Sequence, residues 1–76
     1  MRLVGIIPHP LCRISLFSWN QKFLLKLELG DLEQTFKIPH LDLATEAELR
    51  SAVTPQFIER AVERFASMQK DLQDFF

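Results

Sequence analysis

Two consecutive segments alternate between apolar and polar positions, which is the pattern of half-buried β-strands. The apolar positions are the even ones in residues 12–19 and the odd ones in residues 22–29. The Asn20-Gln21 pair lies between the two segments and suits a two-residue hairpin loop, because asparagine tolerates the left-handed backbone conformation. The pattern therefore predicts a β-hairpin.

A two-residue loop fixes which residues lie opposite one another in this hairpin. It pairs Phe17 with Leu24 on one face, and at the far end it pairs Arg13 with Glu28. Apolar side chains thus meet apolar side chains and opposite charges meet, as stable cross-strand pairs require. The register and the chemistry agree, which supports the hairpin.

A third strand follows a second turn signal. Glycine stands first in the Gly30-Asp31 pair, as a type II′ hairpin turn prefers, and residues 32–38 alternate again. The three segments together predict a three-stranded antiparallel meander over residues 12–38.

Two positions fit this register less well. Glu33 falls opposite Glu28, which is a like-charge pair. Either Arg13, on the other side of Glu28, reduces the repulsion, or a β-bulge shifts the register. Gln34 falls on the apolar face of the sheet. We expect it to be a hydrogen-bonded core amide, unless it marks an incorrect register.

The last third of the chain changes to apolar positions spaced three and four residues apart. Thr45 and Glu48 form a capping box, which predicts a short helix over about residues 46–52. Thr54-Pro55 begins a second helix of about 20 residues, with threonine as the cap and proline at the first helical position. One stripe of this helix is apolar: Phe57, Ile58, Ala61, Val62, Phe65, Met68 and Leu72.

The first eleven residues precede the meander. Pro8-His9-Pro10 bars a helix there. The apolar residues 3–7 are interpreted as an extended arm or an edge strand. This run is too short for the core of a secretory signal or for a membrane span.

These elements predict one small α+β domain in the order β-β-β-α-α. Its parts are an arm or edge strand at residues 1–11, the meander at 12–38 and a helical segment at 45–76. We expect one face of the sheet to pack on the long C-terminal amphipathic helix, with the short helix between them.

Composition narrows the class of protein. The chain has 76 residues, of which 47% are hydrophobic and 25% charged, so it suits a single globular domain and excludes a multidomain enzyme. Its net charge of −1 gives no reason to expect non-specific nucleic-acid binding. Cys12 is the only cysteine, so an internal disulfide is impossible and a reducing cytoplasm is the expected compartment.

A single long helix can cover only one face of the meander. The other face carries aromatic and aliphatic side chains within a charged rim, as binding surfaces do. The predicted interaction residues are Phe17, Trp19, Leu24, Lys22, Lys26 and Lys37.

A homodimer is the predicted assembly. Small domains without a disulfide or a structural metal often gain stability by oligomerising. Seven phenylalanines and one tryptophan are also many for so small a sheet. Phe75 and Phe76 follow the helix and are expected to dock on an apolar surface, which favours a two-fold homodimer.

Two other interpretations of the exposed face remain open. The N-terminal arm could fold back over it and cover it with Leu3, Ile6 or Ile7. Alternatively, its aromatic side chains, flanked by four basic and two acidic groups, could stack on the bases of a single-stranded nucleic acid. The chain lacks the Lys/Arg-Gly-Phe motif of common RNA-binding sheets.

Residues suited to catalysis or metal binding are few. Only His9, Cys12, His40 and Asp42 could assemble a nucleophilic or metal site, and the meander places the two pairs at opposite ends of the sheet. No glycine-rich phosphate loop is present. We therefore predict a non-enzymatic, cytoplasmic interaction module, with no catalytic residues, no cofactor, no metal and no small-molecule substrate.

Overall fold

The computed structural model describes residues 1–76 and shows an α+β fold with an antiparallel sheet and a C-terminal helix. The strands are β1 (Arg2–Ile7), β2 (Arg13–Trp19), β3 (Lys22–Leu29) and β4 (Leu32–Pro39). The helices are α1 (Glu46–Ala52) and α2 (Pro55–Leu72), followed by a 3-10 turn at Gln73–Phe75. The strand order is β1-β2-β3-β4, a meander.

The sheet has four strands, so the predicted count of three is wrong. Residues 2–7 form β1, which pairs antiparallel with β2. A strand at the edge of a sheet presents unpaired N–H and C=O groups, and an adjacent extended segment satisfies them. Of the two predicted alternatives for the apolar N-terminal segment, an arm or an edge strand, the edge strand is therefore correct. It adds a fourth strand to the meander.

Both predicted hairpin registers are confirmed. Phe17 lies opposite Leu24 between β2 and β3, and Glu28 lies opposite Glu33 between β3 and β4 without a bulge. At the first turn, Asn20 and Gln21 have φ angles of 52° and 62°, the left-handed pair that a type I′ turn requires.

Side-chain caps fix where both helices begin. The hydroxyl oxygen of Thr45 accepts a hydrogen bond from the N–H of Glu48 at 3.1 Å. The Thr54 hydroxyl does the same for the N–H of Phe57, also at 3.1 Å. Each bond satisfies an N–H group that has no partner within its helix, so these caps set the first residue of each helix.

One apolar cluster joins the helices to the sheet. The helices and the link between them contribute Leu49, Val53, Ile58, Ala61 and Phe65. The sheet and the loop before β2 contribute Cys12, Ile14, Leu16, Phe23, Leu25 and Leu27. Both helices therefore lie on the same face of the sheet.

The direction of α2 along the sheet follows from two contacts with β4. The rings of Phe57 and Phe36 lie 5.3 Å apart at their centroids, and one turn later the Ala61 carbonyl bonds to Gln34 at 2.8 Å. Helix α2 therefore runs antiparallel to β4, from Phe36 toward Leu32, and its last turns extend beyond the end of the sheet. None of the helices is both long enough and apolar enough to cross a membrane.

Candidate interaction surface

The face of the sheet opposite the helices, here called the second face, carries all six predicted interaction residues. Trp19 lies opposite Lys22 at one end. Phe17, Leu24 and Lys37 form the next row across β2, β3 and β4, and Lys26 follows one row further. No helix or loop packs on this face.

Strand β1 adds apolar side chains that the sequence interpretation did not include in the site. Leu3 lies opposite Phe17, and Ile6 lies opposite Ser15. An odd spacing normally puts two strand residues on opposite faces, but the register shifts by one residue between Leu3 and Gly5. Val4 is the extra residue and packs against the core, so Leu3 and Ile6 share the second face.

Exposure along this face is uneven. Trp19 is 48% exposed, Leu3 and Ile6 are about half exposed, and Phe17 is half-buried. Leu24 is only 7% exposed, so the expectation that its side chain is exposed on this face is wrong. It sits on a central strand, where side chains of both neighbouring strands cover it.

The N-terminal strand widens the second face instead of covering it. Because β1 lies beside β2, it continues the plane of the sheet. Ile7 turns to the other face and packs against the core. Met1 reaches the edge of a cavity of about 130 Å³ beside Phe17, Leu24 and Lys26, and it is itself largely exposed.

Charged side chains border the apolar part of the face. Four are basic (Arg13, Lys22, Lys26 and Lys37) and two are acidic (Glu28 and Glu33), giving a local charge of +2. Lys26 forms an ion pair with Glu33 at 3.6 Å, and the Thr35 hydroxyl donates to the same carboxylate at 2.9 Å. Lys26 therefore relieves the repulsion between Glu28 and Glu33 that the register creates.

The Lys22 ammonium lies over the ring of Trp19, 5.4 Å from its centroid. This distance allows a cation–π attraction, which holds the lysine stem against the indole. One side of the ring is thus occupied within the chain, and the other side is free to contact a partner.

The four residues suited to metal binding or nucleophilic chemistry lie in two separate places, as the predicted register requires. Cys12 Sγ is 3.9 Å from His9 Nδ1 beside the β3–β4 turn. His40 is at the other end, where its N–H donates to the Gln21 carbonyl at 3.1 Å and its ring packs on Phe23. Burial raises the pKa of the Cys12 thiol, which disfavours the reactive thiolate.

A second apolar surface lies at the end of α2. Residues 69–76, here called the projecting segment, continue past the last core residue of the helix, Phe65. Within it, Leu72 is partly exposed, and Phe75 and Phe76 are 80% and 97% exposed. The expectation that these phenylalanines dock is not met within the single chain.

Comparison with known protein families, curated proteins and solved structures finds no match for this chain.

Proposed function

We propose that this protein is a non-enzymatic interaction module that binds a second copy of itself through the second face, forming a homodimer. The observation that carries the proposal is the grouping of Trp19, Leu3 and Ile6, which are all about half exposed on one uncovered sheet face. Contiguous apolar patches with a charged rim are typical of protein-binding sites. The lone Cys12 suits a reducing, cytoplasmic setting.

A second copy is the favoured partner because the chain holds more apolar surface than its own fold covers. Phe23 and Phe65 are buried, whereas Trp19 is about half exposed and Phe75 and Phe76 are left largely in water. A domain of this size has a small core and no disulfide, so self-association is an effective source of stability.

Single-stranded nucleic acid is the alternative ligand, favoured by the local charge of +2 from four basic and two acidic residues. Base stacking needs free aromatic faces. Lys22 already lies over Trp19, and Phe17 is half-buried. These contacts leave one ring face for stacking, so a protein partner is the better supported ligand.

Paired substitutions test the proposal. Ile6→Ser combined with Trp19→Ser, here called the face variant, removes apolar surface from the second face without entering the core. Leu41→Ser is the matched control, because Leu41 is 98% exposed and lies outside this face. Sedimentation velocity should show that the face variant dimerises with a dissociation constant at least tenfold higher than that of the wild type, whereas the control is unchanged.

Two results would argue against the homodimer. One is a face variant that associates as tightly as the control while circular dichroism shows both folded. The other is a salt-dependent change in Trp19 fluorescence when an oligothymidylate is added to a wild-type protein that sediments as a monomer. The second result would support the nucleic-acid alternative.

A further inference from the structure

The projecting segment is an unpartnered continuation of the core stripe of α2. Phe65 is fully buried, Met68 packs partly against the core, and the stripe then continues through Leu72 into Phe75. Residues 69–72 complete α2 and extend roughly 6 Å, and the 3-10 turn at Gln73–Phe75 adds roughly 6 Å more. The segment therefore leaves the end of its own sheet and lies on the helix side, away from its own second face.

We propose that the projecting segment of each copy docks on the second face of the other copy, so that two copies exchange the same contact across a two-fold axis. This inference rests on the proposed homodimer and names the part of the partner that occupies the second face. A reciprocal exchange of this kind closes at two copies and leaves no free surface for further addition.

Charge supports this pairing. The projecting segment carries Lys70, Asp71 and Asp74, a net charge of −1. The second face carries a net charge of +2 from its four basic and two acidic residues. Two second faces packed on one another would bring like net charges together, whereas the segment and the face bring opposite ones together.

The apolar parts also match. The cavity of about 130 Å³ on the second face has three apolar and three polar lining residues, and its volume suits a single aromatic ring. The lining residues are Met1, Phe17, Leu24, Lys26, Glu33 and Thr35. Phe75 and Phe76 are the aromatic side chains most exposed to water in the chain. Ring-to-ring contact with Phe17 adds a favourable edge or offset interaction.

The buried area is adequate for a specific dimer. Phe75 and Phe76 together expose roughly 300 Å² of ring surface. Covering this surface removes a similar area from the face beneath it, and two-fold symmetry doubles the contact. The total is on the order of 1,200 Å², the lower bound of stable specific interfaces.

Mixing two variants tests the exchange. The tail variant carries Phe75→Ser and Phe76→Ser, and the face variant carries Ile6→Ser and Trp19→Ser. Each variant alone loses both contacts and should associate at least tenfold more weakly than the wild type. An equimolar mixture keeps one of the two contacts, because the intact face of one copy accepts the intact segment of the other. It should therefore form a heterodimer that is weaker than the wild-type dimer but tighter than the dimer of either variant alone. One variant is uniformly labelled with ¹⁵N, so that native mass spectrometry distinguishes the heterodimer from both homodimers by mass.

The outcomes separate this inference from the proposed homodimer. If the tail variant dimerises as tightly as the wild type while the face variant does not, the exchange is wrong and the homodimer stands. If both variants dimerise normally, both proposals fail. If each variant is monomeric and the mixture forms no heterodimer even at high micromolar concentration, the exchange is wrong.

A charge substitution provides an independent variant should either serine variant misfold. Asp74 is exposed beyond the core, so Asp74→Lys leaves the fold intact. It should weaken dimerisation severalfold at low salt, and the effect should shrink as salt rises. Unchanged dimerisation at low salt would overturn the exchange.

Discussion

The side-chain amide of Gln34 donates a hydrogen bond to the carbonyl oxygen of Ala61 at 2.8 Å, which ties β4 to the middle of α2. Its own oxygen accepts from Nε of Arg64 at 2.9 Å. The one polar side chain on the apolar face of β4 is therefore satisfied, as the sequence interpretation expected. It fixes where α2 lies along the sheet, and so where the helix passes its end.

Gln34→Ala should lower the free energy of unfolding by about 1 kcal/mol, because both hydrogen bonds are lost from a partly buried site. Urea denaturation of the variant measures this directly. In a double-mutant cycle with Arg64→Ala, the double variant should lose less stability than the sum of the losses in the two single variants. Full additivity would show that the pair is not coupled.

Gly5 packs so closely on Arg50 that an added Cβ would collide with the guanidinium group. Gly5→Ala should therefore displace Arg50 from its ion pair with Glu46 and cost roughly 0.5–1 kcal/mol of stability. In an Arg50→Ala background the same change should cost less, because the guanidinium group is gone and only Glu46 Oε1, 3.0 Å from the added Cβ, has to move aside. Equal costs in both backgrounds, measured by thermal denaturation, would contradict this contact.

Gln21 holds a φ of 62° in the first hairpin turn, where a residue with a Cβ is strained. Gln21→Gly should raise the free energy of unfolding by about 1 kcal/mol, since Asn-Gly is the favoured sequence for this turn. Gln21→Ala is the control and should bring no gain, because alanine keeps the strain. A loss of stability in the glycine variant would speak against a type I′ turn.

Burial raises the pKa of the Cys12 thiol, which disfavours its thiolate form in the folded protein. A disulfide reagent at pH 8 should label it roughly a hundredfold more slowly in the folded chain than in denaturant. His9→Ala should not slow the labelling further, because the imidazole does not activate this thiol. Rapid labelling that depends on His9 would instead indicate a Cys–His pair.

Short-range sequence patterns predicted most of the fold. Alternation, the two turn pairs and the threonine caps each act over a few residues, so the strand registers and helix starts could be predicted. The sequence did not decide whether the N-terminal residues form strand β1. A five-residue apolar run is compatible with an arm or a strand, and the choice depends on the unpaired edge of β2, which the run itself does not reveal.

The candidate site was predictable in outline but not in detail. Register placed Phe17, Trp19 and the three lysines on one face. The bulge at Val4 brings Leu3 and Ile6 onto that face, and a bulge leaves no clear trace in a single sequence. The burial of Leu24 also depends on side chains from both neighbouring strands, which no single-strand pattern reveals.

Sedimentation equilibrium of the wild-type protein distinguishes a self-associating chain from a monomer. We expect a dimer at micromolar concentrations that dissociates reversibly on dilution, because the second face and the projecting segment are covered only by a second copy. A single species of monomer mass up to high micromolar concentration would contradict it.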